Sequence, residues 1–301
     1  MSGPLVLAFD MGTQSARAML INPKGEILFK EQKIYQTPYI SKQSGWAEQQ
    51  PDFYWQNLCE VSRGLFEKAP GMATRIIAVT CSTIRDSTLC LDKERRPLRN
   101  LILWLDDRKA ENLPPLPGGV QLLLKLAGIE GLVEHQRQNC ASNWLAQNEK
   151  EIWEKTDKFV LLSTWLNYKL CGELVDASAG VIGRLPYNSK LRTWMTPHDP
   201  RRLVFDIGQS QQFPLKETAS ILGSISSTAA EETGIPKGLA LIAAGSDKGC
   251  ETLGLSCLEE HKAAISFGTA ATVELSTRTY LEPLPYLPPY PAVVSGYYNP
   301  E

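Results

Sequence analysis

Residues 5–21 read Leu5-Val6-Leu7-Ala8-Phe9-Asp10-Met11-Gly12-Thr13-Gln14-Ser15-Ala16-Arg17-Ala18-Met19-Leu20-Ile21, and this stretch decides the fold. A short apolar run ends in a carboxylate at Asp10, a Gly-Thr hinge follows, and a second apolar run fills 18–21. Asn22-Pro23-Lys24-Gly25 is a strong turn and Ile27-Leu28-Phe29 restarts a strand. The chain therefore opens as an antiparallel meander with a Gly-Thr-polar hinge between its first two strands.

Working outward, residues 51–68 carry Phe53, Trp55, Leu58, Val61 and Leu65 at helical spacing, with Pro51 near the first helical position. The β-branched run 75–81 predicts a buried strand, and 88–91 and 101–105 predict two more. Strands, a helix and a strand again make a mixed α/β pattern. With no G-x-G-x-x-G in the chain, it is not a Rossmann pattern. The spacing predicts helices within 122–126, 143–155 and 159–170, the last stopped by Gly172. Residues 183–215 are polar and irregular, although Trp194 and Met195 give them something to pack. A short helix at 229–233 ends at Gly234, and 239–244 reads as a buried strand leading to Gly245-Ser246-Asp247. A helix is expected from about Gly249 and a further strand over 263–267.

The stretch Ala264-Ile265-Ser266-Phe267-Gly268-Thr269-Ala270-Ala271-Thr272-Val273-Glu274-Leu275 repeats the layout of residues 7–18: strand, Gly-Thr hinge, strand. Gly-Thr is a common dipeptide, but both copies open a meander at the start of a candidate domain. Two such hairpins facing each other would offer tight turns whose backbone N–H groups meet a phosphate chain.

Composition bounds the partners. The 301 residues suggest roughly two domains. With 31 basic and 33 acidic residues, there is no electrostatic case for nucleic acid or an anionic membrane. The apolar run 4–9 is too short for a signal h-region, and no run of about 18 apolar residues exists to span a bilayer. Seven scattered cysteines argue for reduced thiols, and hence a cytoplasmic protein, rather than a disulfide framework. Cys250, Cys257 and His261 fit no zinc spacing.

Several segments together resemble the FGGY carbohydrate kinases. Asp10-x-Gly12-Thr13-x-Ser15-x-Arg17 is similar to that family's first phosphate hairpin. Gly45-Trp46-Ala47-Glu48-Gln49-Gln50-Pro51 is similar to its G-W-x-E-x-x-P segment, and Trp104-x-Asp106-x-Arg108 to its W-x-D-x-R. Gly234-Ile235-Pro236-Lys237-Gly238 and Gly245-Ser246-Asp247 resemble the approach to its catalytic aspartate, and Ser266-Phe267-Gly268-Thr269 its second phosphate hairpin. The resemblance implies an actin/hexokinase-like (RNase H-like) lobe with a mixed sheet over residues 1–246. It also implies the incomplete start of a second such lobe, nucleotide-binding, over 247–301. The expectation is a chain truncated relative to a longer kinase, and inactive in this form because the adenosine pocket falls outside it.

The implied activity is ATP-dependent phosphorylation of a hydroxyl on a small sugar or polyol, a pentulose or a relative, with Mg²⁺ as the metal. The resemblance makes Asp247 the general base, although an aspartate there also reads as a helix N-cap. Lys248 beside it either lowers the pKa of that base or points to solvent. Asp10 becomes a Mg²⁺ ligand through water, against the plainer reading of a strand-end aspartate closing a turn. Thr13, Gln14 and Ser15, on the hairpin begun by Gly12, become phosphate contacts, with Gly268 and Thr269 opposite. Arg17 is either a further phosphate contact or an outward strand charge.

Many pentulose kinases of the family carry Gln-Met-His-Gly before the strand at 88–91, and glycerol kinases carry Gln-Arg-Glu-Thr. Ile84-Arg85-Asp86-Ser87 looks closer to the second, and an Arg85–Asp86 pair can hydrogen-bond vicinal hydroxyls, or can be a surface ion pair of little worth. Trp104 is either an apolar wall for the sugar or core packing, while Asp106 and Arg108 read as structural. Ala141 stands where the family usually has Lys. Two other readings stay open: a glycerol-like polyol kinase, and a non-catalytic sugar- or nucleotide-sensing protein on the same fold. No nucleic-acid or membrane partner is expected, and a homodimer is left open.

Overall fold

The meander forms as read in the computed structural model, which describes residues 3–259, 261–267, 271–282 and 287–301. Strand β1 (Leu5–Met11) alternates buried and half-buried positions and pairs antiparallel with β2 (Ser15–Ile21), which pairs antiparallel with β3 (Ile27–Ile34). The Asn22 side-chain oxygen closes the second turn by accepting from the backbone N–H groups of Lys24 (2.9 Å) and Glu26 (3.0 Å). A two-residue strand β4 (Glu48–Gln49) leads into helix α1 (Pro51–Lys68), whose buried Tyr54, Trp55, Leu58, Val61 and Leu65 face β2 and β3.

Strands β5 (Ile76–Thr83), β6 (Thr88–Leu91) and β7 (Leu101–Ile102) follow. β7 is shorter than the expected 101–105 because the chain turns at Trp104, closed by Asp106 N–H donating to Leu103 C=O at 3.0 Å. Helices α2 (Gly118–Leu126), α3 (Glu130–Gln138), α4 (Ala141–Asn148) and α5 (Lys150–Lys155) come next. The single helix expected over 143–155 is two helices, broken where Glu149 takes the non-helical angles φ −126°, ψ 51°. The helix expected from 159 begins with a strand, β8 (Lys158–Leu161). Its apolar residues pair antiparallel with β6 before α6 (Leu162–Cys171) starts. A short apolar run has no periodicity of its own to separate the two states. Gly172, at φ +80°, ends α6 as expected.

Strand β9 (Ile221–Ser224), which the sequence did not announce, precedes α7 (Ser227–Thr233), β10 (Ala240–Ile242), α8 (Asp247–Gly254), β11 (Ala263–Phe267) and β12 (Ala271–Leu275). The main sheet runs in the order β9-β10-β5-β1-β2-β3, with β1, β5 and β10 mutually parallel and β2, β3 and β9 antiparallel to their neighbours. This is the mixed sheet expected of the first lobe. A smaller antiparallel sheet, β4-β7-β6-β8, lies beside it. β11 and β12 form a separate hairpin. Among the described residues no third strand joins it, and its outward Ile265, Phe267, Val273 and Leu275 are exposed. No helix among the described residues is long and apolar enough to cross a membrane.

Leu58 lies on the core face of α1 with no exposed surface. Leu58→Ala should cost about 2–5 kcal/mol, the loss of its transfer energy plus a residual cavity. Urea unfolding should show a lower midpoint with an unchanged slope.

Candidate active site

Three parallel strands point their carboxyl ends the same way, and such ends are where open α/β sheets leave a crevice for ligands. Register aligns them: Met11 lies opposite Thr83, and Thr83 bridges to Ser246. Ser246 is therefore two strand spacings from Met11, about 10 Å. Asp10, the loop 84–87 and Asp247 stand on this rim.

Asp10 lies directly across from Arg17, whose Nη1 donates to Asp10 Oδ2 at 2.5 Å. Arg17 is thus a partner of the Asp10 carboxylate and not an unpaired strand charge. The other oxygen of Asp10 accepts no hydrogen bond among the described residues. The hairpin between β1 and β2 is closed by Gly12 N–H donating to Ser15 C=O at 3.0 Å. The backbone N–H groups of Thr13 and Gln14 donate to nothing among the described residues, and such groups on a hairpin tip suit an anion. Ser15 departs from expectation. Its side chain is buried at the start of β2, 3.5 Å from Gln32 Nε2, because the strand pleat turns it away from the tip. Gly268 and Thr269, the expected opposite hairpin, lie outside the described residues.

Trp104 anchors this hairpin, a role the sequence did not suggest. Its indole N–H donates to Thr13 Oγ1 at 2.9 Å, and its backbone N–H is held by Ser87 Oγ at 3.2 Å. The neighbouring motifs meet behind it. Asp106 accepts from Arg108 and from the backbone N–H of Ala47. The Arg108 guanidinium reaches Glu48 and lies 3.9 Å from the Trp46 ring centroid and 4.6 Å from that of Trp144. Asp106 and Arg108 are structural, as expected, and Glu48 is the partner that ties the two motifs together.

Arg85 and Asp86 do not act as one pair. Arg85 pairs with Glu301 at 2.6 Å, lies 3.9 Å from Glu274 and sits over the Tyr290 ring. Asp86 turns the other way, at φ +52°, and pairs with Arg184 at 3.1 Å. Successive side chains on this loop diverge, which corrects both the bidentate pair and the surface ion pair. Glu274 and Arg184 were invisible from sequence because their partners lie far away along the chain.

Asp247 is the first residue of α8, while Ser246 is the N-cap, its hydroxyl accepting from Gly249 N–H at 3.1 Å. This removes the capping reading of Asp247. Burial pushes its carboxyl up to about 6, opposed by the Lys248 N–H that it accepts at 2.9 Å and by the charges of Arg85 and Lys248. The Lys248 ammonium does not point to open solvent: it binds Glu251 and Ser266 Oγ, both at 2.8 Å. Glu274, on β12, is buried and accepts from Thr252 Oγ1 on α8, tying the hairpin to the helix.

The rim thus carries a half-buried carboxylate that burial raises to about 6 and, two strand spacings away, a hairpin tip with two N–H groups that donate to nothing among the described residues. The fold is actin/hexokinase-like. The gluconate kinase of Lactobacillus acidophilus superposes with a TM-score of 0.81 at 20% identity, over 99% of this chain and 59% of that one. Residues 5–254 match the N-terminal domain of the FGGY family of carbohydrate kinases, and the chain belongs to that family. The xylulose kinase of Bacillus subtilis is 26% identical over 274 residues, covering 89% of this chain and 52% of that protein. The glycerol kinase of Janthinobacterium sp. is 27% identical over 282 residues, covering 91% and 54%. The chain thus spans about half the length of these relatives.

Two outcomes follow from the site. Trp104→Phe keeps the ring but removes the N–H that holds Thr13, at about 0.5–1.5 kcal/mol. Hydrogen exchange should quicken at the Gly12 amide, whose bond to Ser15 C=O closes the hairpin, far more than in the interior of β1. Asp247 binds its proton more tightly folded than unfolded, so its contribution to stability falls as pH rises from about 4 to about 6. Asp247→Asn should therefore stabilise the fold at pH 8 by about 1–3 kcal/mol, a gain that shrinks towards pH 4 in urea unfolding.

Proposed function

We propose that this chain provides the acceptor-binding lobe and the catalytic base of an ATP-dependent kinase for a small sugar or polyol, a pentulose or a relative. The observation that carries the reading is Asp247: a carboxylate raised to about 6, on the rim that also holds Asp10 and the hairpin. Its task is to take the proton from the acceptor hydroxyl as that oxygen attacks the γ-phosphorus of ATP and the bond to ADP breaks. Residues 1–246 are assigned to acceptor binding and 247–301 to the start of the nucleotide lobe.

The Thr13 and Gln14 N–H groups suit the phosphates, with Trp104 fixing the hairpin's position. Asp10, with Arg17 steadying one oxygen and the other unbonded among the described residues, suits a Mg²⁺ held through water, which would neutralise phosphate charge. The names of the relatives, a xylulose kinase and a glycerol kinase, support an acceptor with several hydroxyls and leave the choice between pentulose and shorter polyol to experiment.

The test is phosphoryl transfer from ATP–Mg²⁺ to glycerol, xylitol, D-xylulose and D-ribulose by the complete gene product containing this chain. Turnover should rise with pH through about 6 as Asp247 loses its proton. Asp247→Asn should lower it by about 10²–10⁴ while acceptor binding survives. Near-normal turnover in that variant removes Asp247 from the mechanism, and a folded protein that binds acceptor but transfers nothing supports a sensing role instead.

A further inference from the structure

We propose that Arg192 is a positioning residue for Asp247: it pins the 290–299 hairpin so that Val293 stays seated against the start of α8. The consequence for turnover rests on the kinase reading, whereas the pinning itself does not. Asp247 lies midway between Gly245 and Gly249, and both glycines face Val293. A Cβ on Gly245 would come 2.6 Å from Val293 Cγ2, and one on Gly249 would come 3.0 Å from it. Bare backbone on either side of the carboxylate is thus what admits the valine. The opposite side of the same turn is held by the N-cap, where Ser246 N–H donates to Ala179 C=O at 3.3 Å.

The hairpin that carries Val293 is short and needs outside support. Its strands pair at two positions, Tyr290 with Asn299 and Pro291 with Tyr298, and a hairpin of that size is marginal alone. On one side it continues β12: Leu275 N–H donates to Pro300 C=O at 3.2 Å, and Thr277 pairs with Tyr298. On the other side Arg192 grips it. Arg192 Nη2 donates to the carbonyls of Ala292, Val294 and Tyr297 at 2.7, 3.3 and 3.1 Å, so it holds the residue on either side of Val293. Its Nη1 donates to Glu217 at 2.5 Å. Glu217 accepts in turn from the Ser178 hydroxyl at 3.2 Å, and the Tyr187 hydroxyl donates to Ser178 C=O at 2.7 Å. The clamp is therefore anchored in the first lobe.

The residue type fits the task. A guanidinium has five donors in a rigid plane and can serve these four acceptors together, whereas an ammonium has three donors and no fixed fork. Arg192 also sits at φ +53°, uncommon for a residue with a side chain, and strain of this kind collects at functional positions. The seat bears on the chemistry because burial is the largest cause that raises Asp247. The charged and titratable groups facing that carboxyl are Arg85 on the 84–87 loop and Lys248, Cys250 and Glu251 on α8. A hairpin that lifts admits water beside Asp247, and the carboxyl falls back towards its ordinary range.

The experiment combines urea unfolding and carbon-13 NMR titration of the Asp247 carboxyl, both on the full 301-residue chain. Alanine normally outdoes glycine inside a helix. Gly249→Ala should nevertheless lower the urea midpoint, because a pinned Val293 cannot give way. In the Arg192→Met background the same substitution should raise it. Arg192→Met alone should move the Asp247 midpoint down from about 6 by about one pH unit or more, and Arg192→Lys should fall between it and wild type. If Arg192→Met does not fold, Val293→Ala takes its place in both measurements, with the same reversal of sign and a midpoint moved the same way. In the complete gene product, Arg192→Met should lower kcat for phosphoryl transfer about tenfold or more with the acceptor KM nearly unchanged. The acid limb of its pH profile should move down with the Asp247 midpoint. A Gly249→Ala effect of one sign in both backgrounds, an unmoved Asp247 midpoint, or an active enzyme whose kcat and pH profile ignore Arg192→Met overturns the proposal. A sign reversal and a moved midpoint in a protein that transfers no phosphoryl group would remove the kinase reading and leave the pinning standing.

Discussion

The hydrogen bonding of β1 on both edges is the constraint from which the rest of the molecule follows. One edge pairs antiparallel with β2 and sets the hairpin at 12–15, while the other pairs parallel with β5. A parallel neighbour requires a crossover, and α1 provides it, covering one face of the meander. β5 then takes β10 as its own parallel neighbour. Three chain segments separated by scores of residues thereby end on one rim, at Met11, Thr83 and Ser246.

That rim would be loose without cross-ties, because hairpins and loops at strand ends have few backbone partners of their own. Trp104 supplies one tie, from the smaller sheet's turn to Thr13. The cluster of Glu48, Asp106, Arg108, Trp46 and Trp144 supplies the footing for that turn. Its charges are buried, and removing one partner would strand the others at several kcal/mol. This accounts for Glu48 and Trp46 of one motif and Asp106 and Arg108 of the other: they hold the platform on which Trp104 stands.

Electrostatics divides the carboxylates of the site by environment. Asp10 is matched by an arginine across a strand pair, and its other oxygen accepts no hydrogen bond among the described residues. Asp247, which among the described residues accepts one backbone N–H and faces more distant cations, is raised by burial to about 6. Asp86 has a dedicated arginine and a glycine opposite. Arg85 points instead at Glu274 and Glu301, so the loop 84–87 addresses the first lobe with one side chain and the β11–β12 region with the next. A strained Asp86 backbone is what makes that divergence possible.

The sequence by itself determined the meander, α1, the rim strand β5, the turn signals at Asn22 and Gly172, and the positions of Asp10 and Asp247, because these rest on local periodicity and on turn chemistry. It also carried the family, through short motifs in a fixed order. Only the tertiary structure decided β8 and β9, since a short apolar run becomes strand or helix according to the neighbour it meets. It alone turned Ser15 inward, joined Trp104 to Thr13, gave Arg17 to Asp10 and separated Arg85 from Asp86. Arg184 and Glu274 stayed hidden for the same reason. The role of a charged side chain is set by the partner across space, and that partner lay 98 residues along the chain for Asp86. Local composition carries no record of contacts made at such a separation.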